Sequence, residues 1–319
     1  MDSQKKVVFI IGCGHSGSTL LDLILGSHSQ AFSLGELRYI GSLLPADAAD
    51  SAATRICDIC EDICDFWNRK ANIRLLKLYY SRQTYLQRAL GRLALYMYNP
   101  YRLLFDWSGK SILIDSSKAP GWIMRQLSVR HTWGNIEPYL LFICRDGRAV
   151  VNSFLRKYPE RNIADKTKEW LTQINKMKKY YADFPEARRM RVHYEELATH
   201  PREVSEQICH LLDIDFEPEM LRYWRHAHHI IRGNAGTRSL IYKYRAKFEV
   251  ENEKLAERDS AESKYYDDSY YQQVGMSIYL DQRWKRELTP EQLAIFDSLA
   301  GEANREFEYV SPESVTAKR

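Results

Sequence analysis

No apolar stretch in this sequence approaches the roughly 18 residues that a helix needs to cross a bilayer, so no membrane span is expected. Lys5 and Lys6 are followed by only a short apolar run, residues 7–11, and then by a glycine-rich turn, which is not the layout of an export signal. Cysteine is sparse: six in 319 residues do not make a disulfide framework. Cys13 and Cys144 fall in strand or turn contexts that read as buried, and free buried thiols without an export signal point to a cytoplasmic protein. Charge of one sign is scarce as well, with 46 Lys and Arg against 42 Asp and Glu, a surplus of +4. A nucleic-acid protein would carry a concentrated basic face, so no nucleic acid is expected as a partner. So small a surplus suits one local basic pocket for an anionic small molecule. No internal repeat and no low-complexity linker interrupts the chain.

What is present is the composition of a globular protein, 45% hydrophobic and 28% charged, which excludes a largely disordered chain. Residues 7–11 (VVFII) form a continuous apolar, β-branched run bounded by glycine, the pattern of a strand buried on both faces and therefore parallel. Residues 111–115, 139–144 and 190–193 read as three further strands. Helical periodicity separates them at 20–25, 75–98, 170–181 and 204–212. That alternation predicts an α/β fold with a central parallel sheet and helices on both faces. Thr289-Pro290-Glu291-Gln292 offers a capping box for a C-terminal helix. The charged, aliphatic-poor stretch 247–268 reads as an exposed or mobile insert.

The most informative segment is Gly12-Cys13-Gly14-His15-Ser16-Gly17-Ser18-Thr19, between the first strand and the first helix. Small residues there let backbone N–H groups approach an anion, the helix adds its positive end, and Ser16, Ser18 and Thr19 add hydroxyls. Set against the phosphate loop GxxxxGK[ST], Gly12, Gly17 and Thr19 fit, but Ser18 stands at the lysine position. That lysine handles the β- and γ-phosphates in nucleotide triphosphatases, so its replacement argues against ATP or GTP hydrolysis. A second anion element follows the strand ending at Cys144: Arg145 at the strand end can fork onto a phosphate, and Ser153 on the next helix can complete the cradle.

These two elements resemble the sulfotransferase superfamily that uses 3'-phosphoadenosine 5'-phosphosulfate (PAPS). Its 5'-phosphosulfate loop commonly reads [KR]-S-G-T-T-L, and His15-Ser16-Gly17-Ser18-Thr19-Leu20 is similar, with His15 departing from the basic residue. Protonated, His15 could still donate to a bridging oxygen. Arg145 and Ser153 match the family's 3'-phosphate site. Asp115-Ser116-Ser117-Lys118 resembles a turn after its second strand. His193-Tyr194-Glu195-Glu196-Leu197 resembles its R-Y-E-D-L segment, whose tyrosine lies near the adenine. Gly233-Asn234 followed by Arg238 resembles a loop that closes over the nucleotide. The likeness fades between 65 and 105 and between 240 and 275.

The resemblance implies one sulfotransferase domain over 1–319, a P-loop-like three-layer sandwich, with PAPS as co-substrate and no metal. Gly14, His15, Ser16, Gly17, Ser18, Thr19, Leu20, Arg145, Ser153, Tyr194, Gly233, Asn234 and Arg238 would bind the donor. Leu34-Gly35-Glu36-Leu37-Arg38 resembles the G-E-x-R region of tyrosylprotein sulfotransferases, which makes Glu36 the general base, with Arg38 able to orient the acceptor. Lys118 or His15 would meet charge on the leaving group. The acceptor is a small molecule or peptide bearing a hydroxyl, its pocket expected from residues 40–105. Phenol, lipid and sugar remain equal choices, and the oligomeric state stays open. A nucleotide-dependent kinase with Asp115 holding Mg²⁺, and a nucleotide-sensing scaffold, are the competing readings.

Cys57, Cys60 and Cys64 are one ligand short of the four that zinc takes. Asp58, Glu61, Asp62 or a distant histidine could supply a fourth. A structural or lid role before Phe66-Trp67 is preferred to a metal or a redox disulfide. His226, His228 and His229 are expected to line the cleft wall or a loop surface.

Overall fold

A computed structural model of the chain describes residues 4–43, 56–60, 64–67, individual positions between 76 and 97, 98–248, 270 and 274–309. The expected insert at 247–268 lies outside the described residues from 249 onward.

Among the described residues five strands form one sheet: β1 (Lys5–Ile11), β2 (Ala31–Gly35), β3 (Ile112–Asp115), β4 (Ile136–Cys144) and β5 (Arg189–His193). Their order is β2-β3-β1-β4-β5 and every neighbouring pair is parallel. The run at 7–11 does what its composition requires. Val7, Val8, Phe9, Ile10 and Ile11 are wholly buried, so both faces of β1 are covered. Each such side chain contributes about 1.5–3 kcal/mol on leaving water. β1 is central and pairs with β3 and β4 at once, Val7 opposite both Leu113 and Pro138. The fold is thus the expected α/β, P-loop-like sandwich. β2 is an addition to the four strands predicted, short and ending in glycine.

Helices fill the crossovers that parallel strands require. The helix α1 (Ser18–Gly26) joins β1 to β2, and helices Gly147–Lys157 and Ile163–Ala182 join β4 to β5. The C-terminal helix Pro290–Asn304 carries the predicted capping box, with the Gln292 amide donating to Thr289 Oγ1 and the Thr289 amide donating to Gln292 Oε1. It packs Phe296 against Trp170 of the long helix, ring centroids 5.6 Å apart. Among the described residues no helix is long and apolar enough to cross a membrane.

The chain winds to one side of β1 through β2 and β3 and to the other through β4 and β5. The order reverses at the carboxyl end of β1, where open α/β sheets bind ligands.

Behind that edge Asp22 is buried in α1, accepting hydrogen bonds from Ser33 and Ser116, each 2.6 Å. Burial pushes its carboxyl up to about 7, against the pull of those hydroxyls. Between an unfolded value near 3.8 and this folded one, the folded chain keeps a proton that the unfolded chain has lost. Stability from this group therefore falls as pH rises through that window. Asp22→Asn is expected to gain on the parent in urea unfolding as pH rises from about 5 to about 7.5, and an unchanged difference would contradict the assignment.

Candidate active site

Every strand delivers a predicted site residue at its carboxyl end. β1 leads into the loop at 12–17, β2 into Glu36, β3 into the turn bearing Lys118, β4 into Arg145 and β5 into Tyr194. Because the sheet is all-parallel, these five ends share one edge.

The loop is shaped by Gly17, whose φ of 89° suits glycine and whose added Cβ would stand 2.5 Å from Tyr194 Cδ2. Tyr194 therefore packs directly on the loop. Ser16, Ser18 and Thr19 are buried, and Leu20 is buried beside them. No side chain caps α1 among the described residues, which leaves the first-turn amides facing the loop mouth. Gly14 faces the ring of Phe154. Thr19 Oγ1 accepts the amide of Asn234 at 3.0 Å, and Gly233 lies against the Thr19 methyl. The Gly233-Asn234 turn thus sits against Thr19, at the start of α1. Arg238 turns elsewhere. It is buried, donates to the Asp58 carbonyl and lies 3.2 Å from the Tyr242 hydroxyl.

His15 has φ 64°, a left-handed conformation that costs a non-glycine residue of order 1–3 kcal/mol. Its carbonyl accepts Arg145 Nη1 at 3.0 Å and its Nδ1 lies 3.0 Å from Ser153 Oγ. The loop is thereby joined to both members of the second anion element. Burial, reinforced by the charges of Lys157, Arg145, Lys118 and Arg156, lowers the imidazole pKa to about 3. His15 is therefore neutral at pH 7 and offers one N–H, not the cation that a lysine or arginine would place there.

Arg145 is buried with its guanidinium 4.2 Å from the Tyr194 ring. Its Nη2 donates to the Asp281 carbonyl at 2.7 Å, while its Nε has no hydrogen-bond partner among the described residues. A buried unpaired guanidinium N–H is costly. Asp281 and Arg283 belong to this cluster, although the sequence reading passed over them. The Asp281 carboxylate lies 2.9 Å from Arg283, 3.5 Å from Arg145 and 4.0 Å from Arg156. Burial raises its pKa, but Arg283 and Arg145 outweigh that and hold it well below the usual carboxylate range. Three guanidinium groups thus converge on one anionic position.

On the other side of the loop Glu36 is nearly buried, between Lys118 Nζ at 2.6 Å and Arg38 Nη2 at 3.2 Å. Gly35 sets its direction. Its φ is 68°, and a Cβ would stand 2.3 Å from the Ile231 carbonyl oxygen. The next amide, of Glu36, donates to that same oxygen at 2.6 Å. Lys118 has φ 55°, a second non-glycine residue in the left-handed region, and its amide donates to the Ile10 carbonyl at the end of β1. Asp115 faces away from this group. It is wholly buried and accepts Tyr101 Oη at 2.7 Å, Trp122 Nε1 at 2.9 Å and the Ser117 amide at 3.0 Å. Its oxygens are committed to the core.

The three histidines separate. His226 reaches the Glu219 carbonyl, His228 is buried against the Tyr223 carbonyl, and His229 points at the cysteines. Glu61 and Asp62 lie outside the described residues.

A glycine-rich loop at the reversal of a parallel sheet is flanked by an arginine cluster on one side and by a carboxylate held between two cations on the other. The profile of the Sulfotransferase family matches residues 7–218, two-thirds of the chain, and the chain belongs to that family. The fold is similar to the sulfotransferase domain of the Synechococcus PCC 7002 olefin synthase, with a TM-score of 0.54 at 18% identity over 94% of this chain and 97% of that one. Weaker likeness extends to the sulfotransferase domain of the curacin biosynthetic pathway, with a TM-score of 0.47 at 18% identity over 82% of this chain and 98% of that one. A search of curated proteins gives no match.

Proposed function

We propose that the chain moves the sulfuryl group of PAPS to a hydroxyl acceptor. The observation that carries this reading is the pairing of two anion seats across one loop: the uncapped start of α1 and the Arg145–Arg156–Arg283 cluster, linked through His15. The first seat suits a 5'-phosphosulfate and the second a 3'-phosphate, where the Asp281 carboxylate now sits. Tyr194, between them, suits the adenine. Gly233 and Asn234 would close the loop side through Thr19. Arg238 supports that turn from behind.

Glu36 would take the acceptor proton as the new S–O bond forms and the bond to the leaving phosphate oxygen breaks. Lys118, bonded to Glu36 in this structure, would turn to the leaving oxygen, and the neutral His15 N–H would add a donor. The donor nucleotide supplies the activated sulfuryl group, and the chain supplies position and charge. The kinase reading is weaker on two counts: Ser18 stands where the lysine would be, and the Asp115 carboxylate is filled by protein hydrogen bonds. The buried thiols of Cys13, Cys144 and Cys209 favour a cytoplasmic setting.

Incubation with ³⁵S-labelled PAPS and a panel of a phenol, a sugar, a lipid alcohol and a tyrosine peptide tests the reaction. Label is expected on at least one acceptor, with adenosine 3',5'-bisphosphate released in equal amount. A chain that binds the nucleotide yet releases none above blank with any of them would overturn it.

A further inference from the structure

We propose that Cys57, Cys60, Cys64 and His229 hold a structural zinc ion that fastens residues 57–67 to the segment at 228–231. The four donor atoms lie within 4.8 Å of one another, although the histidine is 165 residues from Cys64 in the chain. His229 Nδ1 is 3.4 Å from Cys60 Sγ and 3.3 Å from Cys64 Sγ. A tetrahedral zinc with bonds of about 2.3 Å to sulfur and about 2.05 Å to nitrogen sets those separations at about 3.6 Å. One nitrogen facing two sulfurs at nearly equal range is the arrangement a shared ion produces. A disulfide would join two thiols and leave the third and the imidazole unexplained.

The surroundings hold the sulfurs in place. The amides of Ile59 and Cys60 both point at Cys57 Sγ, at 3.4 and 3.2 Å, so the CxxC turn directs two N–H donors onto one sulfur. Cys57 and Cys64 are buried. The His229 ring lies nearly parallel to those of Phe32 and Phe66, at 6.0 and 5.7 Å, and its carbonyl accepts the Trp67 indole N–H. Such contacts fix a ligand's orientation before the ion arrives. Asp58 lies outside the four-residue group, with its carboxylate 3.9 Å from Arg238 Nη1. Three sulfurs and one imidazole select a borderline-soft ion, and four protein ligands leave no place for a reactive water, so the site is structural. It borders the candidate active site in space, since Ile231, just after His229, pairs with Gly35 and accepts the Glu36 amide. The site stands or falls separately from the sulfuryl reading, because none of its four ligands is among the residues proposed to bind the donor or to act on the acceptor.

The test uses the full chain, expressed in zinc-replete medium and purified under reducing conditions. About one zinc per chain is expected by elemental mass spectrometry. Exchange for Co²⁺ should give thiolate-to-cobalt charge transfer and the intense visible bands of a tetrahedral site. Cys64→Ser and His229→Ala should each weaken zinc, measured by chelator competition, by more than about 10-fold. Cys209→Ser, a buried cysteine outside the cluster, should not. Should the ligand variants fail to fold, the Co²⁺ spectrum of the parent chain still decides. Zinc far below one per chain with no cobalt spectrum, a Cys57–Cys60 disulfide in the reduced preparation, or an unaltered spectrum in a folded His229→Ala chain would each overturn the proposal.

Discussion

Glu36→Gln is expected to bind adenosine 3',5'-bisphosphate as the parent does and to transfer sulfate about 10²–10⁴ times more slowly. Glutamine keeps the shape of the side chain and can still accept from Lys118, so the seat survives while the proton acceptor is lost. The alternative acceptors are poor. Asp115 is enclosed by Tyr101, Trp122 and Ser117, and His15 has a pKa near 3. An acceptor hydroxyl titrates far above neutrality, so the proposed reaction needs a group placed to receive its proton, and Glu36 is proposed as that group. The split between the two readouts matters: calorimetry should be flat across the pair, and initial rates should not. Turnover close to the parent's would remove Glu36 from the role.

The second large effect is at the other seat. Arg145→Ala should weaken the bisphosphate by about 30- to 1000-fold, or about 2–4 kcal/mol, since a charge-assisted fork is lost from a buried position. Arg145 also ties the His15 carbonyl to Asp281, so the alanine chain will melt lower. Arg145→Lys separates the two effects. It keeps the charge and loses the fork, and should recover only part of the affinity. Titration calorimetry on both variants reads this directly. Full affinity in the alanine variant would remove the guanidinium from nucleotide binding.

How far these sites were legible follows from what one-dimensional patterns carry. β1 and β4 were plain because strands buried on both faces are written as unbroken apolar runs. β2, with the sequence AFSLG, was not, because five residues of mixed polarity become a strand only through pairing with β3. Glu36 was found by resemblance, while the reason it faces Lys118, the left-handed Gly35 against Ile231, is a tertiary fact. The cationic role allowed to His15 was read from residue type alone. Its burial among four cations, which keeps the ring neutral, has no local signature. Asp281 and Arg283 escaped notice for the same reason, since a short basic stretch reads as surface until β4 and the Gly147–Lys157 helix are placed against it. The cysteine group looked one ligand short because its fourth member comes from beyond β5.

The carboxyl edge of the sheet is proposed to seat a nucleotide bearing both a 5'- and a 3'-anion. Calorimetric titration of the parent chain with adenosine 3',5'-bisphosphate, without added Mg²⁺, tests it most directly, with adenosine 5'-monophosphate and ATP plus Mg²⁺ as comparisons. The account predicts saturable one-to-one binding of the bisphosphate, weaker binding of the monophosphate, and no preference for ATP with Mg²⁺. Equal affinity for the bisphosphate and the monophosphate, or tight binding only of ATP with Mg²⁺, would contradict it.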